Sequence, residues 1–334
     1  MSSEMTTANP PDVTIIIPTK NGQAYLAEVL DGIYAQVTGY RFEVLVIDSG
    51  STDATLAILG RYPVGLHAIP PEQFNHGATR DLGGELAHPA SRFLVYLTQD
   101  ATPLPGWLDH VLQPLEADPQ VAGAFSRHVP RPDCNPILAR SMTQDWEQCG
   151  TMARVVKRVT DVGDFSRRRM HYVYFANTSS CLRRSVWEQY HFLAAEFGED
   201  AQWAERVLTA GYTLVYEPGS TVLHSHSYPL LQHCRQNFDH ARGMHRFAAP
   251  AEAGQPARKA GLVLSSLGTV RRDWAYIWRS SHFSLRQKLY WSGYSPLWHG
   301  AAGLGTWLGA ASPAISEAMQ PWFSRQSRLR LRGQ

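Results

Sequence analysis

Arg92–Pro103 reads RFLVYLTQDATP, and its reading decides the fold. The apolar run Phe93 to Leu97 stops abruptly at Thr98-Gln99-Asp100. So short a run, rich in aromatic and β-branched side chains and followed by Pro103 and Pro105, predicts a buried strand ending in a carboxylate. In open α/β sheets ligands bind at that edge. A carboxylate placed there can hold a divalent metal beside a diphosphate.

The same grammar extends in both directions. Val13–Pro18, VTIIIP, and Phe42–Ile47, FEVLVI, predict two more buried strands. Leu26, Val29, Leu30 and Ile33 recur at helical spacing within Ala24–Ala35. The second strand ends at Asp48, and Ser51, Thr52 or Asp53 can cap a helix over Ala54–Leu59. A shorter strand over Val64–Ile69 and a helix over Thr79–Ala87 follow. Strand alternating with helix implies a mainly parallel, Rossmann-like sheet flanked by helices.

Beyond the strand at Phe93 the pattern is less regular. Pro130–Pro136 reads as loop, and the charged stretch Asp145–Arg169 as a mobile segment. A strand over Tyr172–Leu182 and a short helix over Arg184–Tyr190 are expected. A helix over Asp200–Ala210 carries Trp203, Val207 and Leu208 on one side, and Gly211 ends it. Thr213–Tyr216 and Thr221–Leu223 read as two short extended pieces leading to His224. From about Leu230 onward the chain reads as helical, with Pro250–Pro256 as a linker. The expected organisation is a disordered N-terminus over 1–11, an α/β domain over 12–235 and a helical region over 236–334.

Composition narrows the possibilities. The 334 residues are 44% hydrophobic and 18% charged, as in a globular protein. Cys134, Cys149, Cys181 and Cys234 are scattered with no C-x-x-C pair, which argues against zinc and against a disulfide framework. The opening MSSEMTTANPPD has no basic segment followed by an apolar core, so no signal peptide is expected. A cytoplasmic location with reduced thiols follows as the expectation. Charge is uneven: Gln255–Gln334 holds 11 Lys and Arg against 2 Asp and Glu, in a chain whose net charge is only +2. Six of the ten tryptophans (Trp274, Trp278, Trp291, Trp298, Trp307 and Trp322) also fall there. Such a segment is either a surface for anionic lipid headgroups or a helical appendage with tryptophans in its core. No run reaches the roughly 18–20 apolar residues that span a bilayer, and no nucleic-acid partner is expected.

Several residues can carry chemistry. Asp48, at a strand's C-terminal edge, can accept hydrogen bonds from a base or ribose; Asp53 reads equally as a ligand contact or a cap. Arg80 in FNHGATRDLG can meet a diphosphate or pair with Asp81 or Glu85, and Gly77 would let backbone approach a ligand. Lys20 and Arg127 are further cations that spacing does not single out. Glu199 and Asp200 open a helix, where the dipole alone favours acids, or where one acts as general base. His224 and His226, at i and i+2, point the same way on an extended segment and can complete a metal shell with Asp100. The absence of G-x-G-x-x-G, Walker and G-x-S-x-G motifs argues against dinucleotide, NTPase and hydrolase readings.

Taken in order, VTIIIPTKNG, EVLVIDSGSTDAT, FNHGATRDLG, FLVYLTQDATPLP, FGEDAQWAERVLTAGY and VLHSHSY resemble the family 2 glycosyltransferases of GT-A fold, over about Val13–Tyr228. FNHGATRDLG with YLTQDATP is most similar to the bacterial rhamnosyltransferases that use dTDP-L-rhamnose. The resemblance implies that Pro18, Thr19 and Asn21 line the nucleotide pocket, that Asp48 reads the base, and that Asp53, Gly77 and Arg80 belong to the donor site. Thr98-Gln99-Asp100 stands where the family has Asp-x-Asp. Asp100 and His224 would then hold Mg2+ or Mn2+, with Thr98 replacing a carboxylate. Asp200 would be the catalytic base beside Glu199, and Trp203 and Glu199 would line the acceptor site. The implied activity is inverting transfer of a sugar to a glycan or lipid-linked acceptor in O-antigen or exopolysaccharide synthesis, at the inner face of the cytoplasmic membrane. A UDP-sugar donor (glucose, galactose or GlcNAc) and a non-catalytic scaffold of an envelope assembly complex are the rival readings.

Overall fold

The computed structural model describes residues 10–145, 150–195, 197–252, 259–311 and 313–324. The chain divides into two compact units, one of residues 1–128 and 151–224, the other of 129–150 and 225–334. Apart from its last two residues, the expected disordered stretch 1–11 lies outside the described residues.

The first unit is built on one sheet. Its strands are β1 (Val13–Thr19), β2 (Phe42–Asp48), β3 (Gly65–Ala68), β4 (Phe93–Leu97), β5 (Thr102–Pro103), β6 (Val121–Val129), β7 (Val155–Lys157), β8 (Ser179–Arg183) and β9 (Thr213–Leu223). They are ordered β3-β2-β1-β4-β8-β6-β9-β5, with β7 also on β9. The parallel character expected from the alternating pattern holds for β1 with β2 and β4, and for β2 with β3. β8 pairs antiparallel with β4 and β6, and β5 and β7 pair antiparallel with β9, so the sheet is mixed. β4 is apolar throughout and β1 mostly so, and both are buried almost along their whole length, as strands covered on both faces must be. Helix α1 (Leu26–Tyr34) buries Leu26, Val29, Leu30 and Ile33, α2 (Thr55–Leu59) adds Ile58 and Leu59, and α4 (Trp107–Ala117) adds Trp107, Leu108, Val111 and Leu112 to the same core.

Three expectations are corrected. Tyr172–Val173 close a short helix, Arg169–Val173, and the strand begins only at Ser179. Residues 155–157 and 162–167, expected in a mobile stretch, form β7 and a helix capped by Asp161. The two pieces near residue 220 are one eleven-residue strand, β9, which carries Pro218-Gly219 through its middle.

Helix α3 (His76–Leu86) controls the geometry downstream. Asn75 caps it, accepting from the amides of Gly77 and Ala78 at 3.1 Å. Two glycines let it lie close: a Cβ on Gly83 would fall 2.4 Å from Ile16 Cγ2 of β1, and one on Gly84 would fall 2.4 Å from the Trp187 ring.

The second unit is helical: α5 (Pro136–Arg140) and the helices Leu230–Glu252, Lys259–Arg279, Leu285–Gly309 and Pro313–Phe323. The linker expected from Pro250 begins inside the first of these long helices, and 253–256 lie outside the described residues. Gly305 and Gly309 face Leu230–Glu252 so closely that a Cβ would meet Cys234 O at 2.0 Å and Phe238 O at 2.3 Å. Buried at its centre, Asp273 takes Arg140 Nε, Ser295 Oγ and His299 Nε2.

Gly83→Val is expected to lower stability by about 1–3 kcal/mol, the usual cost of overpacking, by forcing α3 off β1. Chemical denaturation followed by tryptophan fluorescence measures it.

Candidate active site

The ends of β1, β2 and β4 carry a set of stitched loops. Register pairs Thr19 with Asp48 at the shared C-terminal edge of β1 and β2. Asp48 is buried, and its carboxylate accepts from the amides of Gly50 and Ser51 at 3.0 Å and from the Ser51 hydroxyl. It shapes its own loop. Asn21, in left-handed backbone at φ 50°, donates its amide to Ser51 Oγ and accepts from the Thr52 amide through Oδ1. Asp53 Oδ1 accepts from the Thr55 amide and hydroxyl, and Oδ2 from the Gln23 amide. Desolvation raises the Asp53 carboxyl, but the hydrogen bonds from Thr55 and Gln23 outweigh it and hold it below its ordinary value. Gln99 clamps Lys20 like a strand neighbour, its Oε1 accepting from Lys20 N at 2.9 Å and its Nε2 donating to Lys20 O at 3.0 Å. Pro18 and Thr19 precede this clamp on β1. Among the described residues, the buried Thr98 hydroxyl makes no hydrogen bond.

Asp100 and His224 come together although 124 positions separate them in sequence. The pairing of Thr102 with Leu223 in β5 and β9 sets the register, and the residues just outside it meet with His224 Nε2 3.5 Å from Asp100 Oδ1. One carboxylate oxygen and one imidazole nitrogen at that separation form a donor pair suited to Mn2+ or Mg2+. Beside His224 packs a histidine that the sequence reading did not single out. His128, near the end of β6 and 6% exposed, sets its ring across that of His224 with centroids 5.7 Å apart. Burial, and secondarily the charge of His224, lowers its pKa to about 3, so it is neutral. His226 belongs to the second unit, where its ring stacks on Tyr228 at 4.9 Å.

The acidic pair opens the helix Glu199–Thr209 after Gly198, whose φ of 80° makes the sharp entry. Glu199 is buried and pairs with Arg80 Nη1 at 3.1 Å, both side chains only 7% exposed. Asn177 Nδ2 also reaches Glu199 Oε1, at 3.4 Å. Desolvation opposes the Glu199 charge, but Arg80 and then His76 overcome it, so the Glu199 carboxyl lies below its ordinary value. The adjacent Asp200 behaves oppositely. Burial, and then the negative Glu199, push it up to about 7.

Three sequence expectations change here. Arg80, expected at the donor diphosphate, is 6% exposed and occupied by Glu199 and by His76 O at 3.0 Å. Gly77 makes room for protein: a Cβ there would lie 1.9 Å from Leu193 O. Trp203, expected against the acceptor, is wholly buried between Phe175 and Phe192, at 5.3 and 6.1 Å, and belongs to the core. Asn177 was invisible because FANTSS reads as strand.

Known proteins resemble this chain. The family description Glycosyl transferase family 2 matches residues 14–175. The O-antigen chain rhamnosyltransferase WbaN of Salmonella anatum is 33% identical over 236 residues, 69% of this chain and 71% of that one. The O-antigen chain rhamnosyltransferase RfbN of Salmonella typhimurium is 30% identical over 233 residues, 68% and 70% of the two chains. Among solved structures, a mannosyltransferase of Pyrobaculum calidifontis in complex with GDP-Man and Mn2+ superposes with a TM-score of 0.54 at 18% identity, covering 94% of this chain and 88% of that one.

Because the folded Asp200 holds its proton up to about pH 7 and an unfolded aspartate only to about pH 4, its contribution favours folding at low pH. That contribution is lost as pH rises through about 7. The thermal midpoint of Asp200→Asn, relative to the parent, is therefore expected to climb between pH 4 and pH 8. A scanning-calorimetry series across that range checks it.

Proposed function

We infer the activity from one premise: this chain belongs to glycosyltransferase family 2, and its mixed sheet with flanking helices and a C-terminal helical region is the GT-A architecture. It is a glycosyltransferase. The reading we propose in detail is inverting transfer of L-rhamnose from dTDP-L-rhamnose to a hydroxyl of a glycan or lipid-linked acceptor in O-antigen or exopolysaccharide synthesis. Two relatives at about a third identity bear the name O-antigen chain rhamnosyltransferase, which supports the donor sugar and the pathway class.

The observation that carries the mechanism is the buried Arg80–Glu199 ion pair immediately beside Asp200. Held ionised by Arg80, Glu199 raises the proton affinity of its neighbour. A general base works best with a pKa near the working pH, and Asp200 lies there. We assign Asp200 to take the acceptor hydroxyl's proton. The acceptor oxygen then bonds to the anomeric carbon as the bond from that carbon to the diphosphate oxygen breaks, and one displacement from the opposite face inverts configuration. Asp48, Asp53, Asn21 and Gln99 act by holding the loops at the nucleotide edge in place before the donor arrives. Asp100 and His224 are the proposed ligands of Mn2+ or Mg2+, which when bound supplies positive charge for the departing diphosphate.

The acceptor's lipid carrier is proposed on the second unit. No helix among the described residues is long and apolar enough to cross a membrane. Leu285 and Leu289, one turn apart and 64% and 59% exposed, share a helix with Arg286 and Lys288. Exposed apolar side chains among cations suit an anionic bilayer surface, and we place the protein peripherally on the inner face of the cytoplasmic membrane.

Asp200→Asn is expected to abolish sugar transfer while dTDP binding, measured by calorimetry, stays within about threefold of the parent. In the parent, turnover should fall about tenfold per unit as pH drops below about 7 and level off above it, since only the ionised carboxylate accepts a proton. Parental turnover in Asp200→Asn would remove the base assignment. Incubation with dTDP-rhamnose and with UDP-glucose, UDP-galactose and UDP-GlcNAc decides the donor. Separately, Leu285→Ser with Leu289→Ser should cut co-flotation with anionic phospholipid vesicles severalfold; unchanged flotation would discard the membrane surface.

A further inference from the structure

We propose that Asn177 is the positioning residue of the acidic pair, gripping Glu199 and fixing both acids to the strand end that carries Thr98-Gln99-Asp100. The inference rests on reading Asp200 as the base and goes beyond it by naming what holds that base in place.

The turn before β8 makes the juxtaposition. Ser179 N donates to Ala176 O at 3.2 Å, which closes a tight turn with Asn177 and Thr178 at its corner. Thr98 N donates to Thr178 O at 3.0 Å, continuing the antiparallel register of Leu97 with Ser179. The turn is therefore an extension of the sheet, one residue beyond the end of β4. Asn177 is 2% exposed and follows the buried Phe175 and Ala176, where an apolar side chain would be the ordinary occupant.

Both ends of its amide are used instead. Ser180 Oγ donates to Asn177 Oδ1 at 2.9 Å, which leaves Nδ2 to donate to Glu199 Oε1 at 3.4 Å. The same Glu199 oxygen takes Arg80 Nη1 at 3.1 Å. The carboxylate is thus fixed from the sheet and from α3 at once. The Asn177 main-chain amide also faces Asp200 closely enough to favour its ionised form, as does the Ala201 amide at 2.8 Å. The charged groups facing the two acids from α3 are Arg80 and His76. Glu205, further along the helix of the acids, is taken by Arg169 at 2.6 Å. Removing a neutral donor from a pair of acids makes each ionisation harder, so the second, that of Asp200, moves upward.

The test titrates Asp200 directly and compares it with turnover. Aspartate labelled with 13C at the side-chain carboxyl is incorporated into the full-length protein, and the Asp200 signal is the one missing from Asp200→Asn. In the parent it is expected to titrate at about 7. In Asn177→Ala the midpoint should rise by about half to one pH unit, the worth of one hydrogen bond, and the acidic limb of turnover should move with it. Ser180→Ala, which frees the amide to turn over, should move the midpoint the same way by less. Thr178→Ala, in the same turn with its main-chain carbonyl intact, should keep the parental midpoint. An unmoved midpoint in Asn177→Ala would overturn the proposal. So would an equal shift in Thr178→Ala, or a parental Asp200 that titrates as an ordinary aspartate. If the midpoint moves in Asn177→Ala while turnover ignores it, the hold of Asn177 on the acids stands and the base reading falls. Circular dichroism confirms each fold, and Asn177→Ser, with a side chain too short to span to Glu199, replaces Asn177→Ala if the latter does not fold.

Discussion

The buried ion pair of Arg80 and Glu199 is the constraint from which the chemistry of the first unit descends. Two charges withdrawn from water are tolerated only when their geometry and further hydrogen bonds compensate. Here Glu199 meets Arg80 at 3.1 Å and Asn177 at 3.4 Å, and Arg80 also donates to His76 O. The pair therefore holds α3 and the helix Glu199–Thr209 in one arrangement. α3 grips the intervening segment at other points too: Asn75 Oδ1 accepts from the Ala195 amide at 3.0 Å, and Asp81 Oδ1 from Trp187 Nε1 and the Phe192 amide. The glycines that bring α3 against β1 and Leu193 are part of the same device, because the ion pair closes only at that distance. Electrostatics then divides two adjacent acids. The first is ionised by its partner; the second, facing that negative charge in a desolvating setting, keeps its proton to about pH 7. Environments that drive neighbouring titratable groups apart are how acid and base roles are assigned.

A second kind of order lies at the strand ends. Asp48, Asp53, Asn21 and Gln99 all accept hydrogen bonds from backbone amides of neighbouring loops. Such bonds look like structure; on the proposed reading they also serve binding. A loop fixed before the ligand arrives loses less entropy on association, and its dipoles need not reorganise during reaction. Gly22 fits the scheme, since a Cβ there would lie 2.6 Å from Gln99 Oε1 and break the Lys20 clamp.

Legibility in the sequence followed the range of the interactions. Continuous apolar runs marked β1, β2 and β4 because burial on both faces leaves no polar positions to confuse the pattern. The position of Asp100 at a strand end was legible for the same reason. β9 was split in reading because Pro218 and Gly219 are strand breakers in isolation; tertiary pairing of β9 with β5 and β7 overrides that local preference. Trp203 was readable and was misassigned: its spacing with Val207 and Leu208 put it on the helix's buried side, which is where it lies. The partner of Arg80 was beyond reach, since local rules offered Asp81 and Glu85 while the true partner is 119 positions away. His128 escaped because nothing along β6 announces that its last inward-facing residue will meet a histidine from the far end of another strand.

The departure at Thr98 bears on the cation site proposed at Asp100 and His224. A hydroxyl where the resembling family carries a carboxylate removes one negative charge from the strand end, and its buried oxygen finds no partner among the described residues. With Asp100 as the charged donor and the His224 imidazole as a neutral one, a divalent ion would retain about one unit of positive charge toward the incoming diphosphate, where two carboxylates would cancel it. Nitrogen donors also shift preference from Mg2+, which demands oxygen and water, toward Mn2+. On that reading, the same departure would weaken attraction for the free ion and strengthen what the bound ion supplies to the leaving group. Binding of metal and of nucleotide would then be mutually dependent, because each supplies charge that the other lacks.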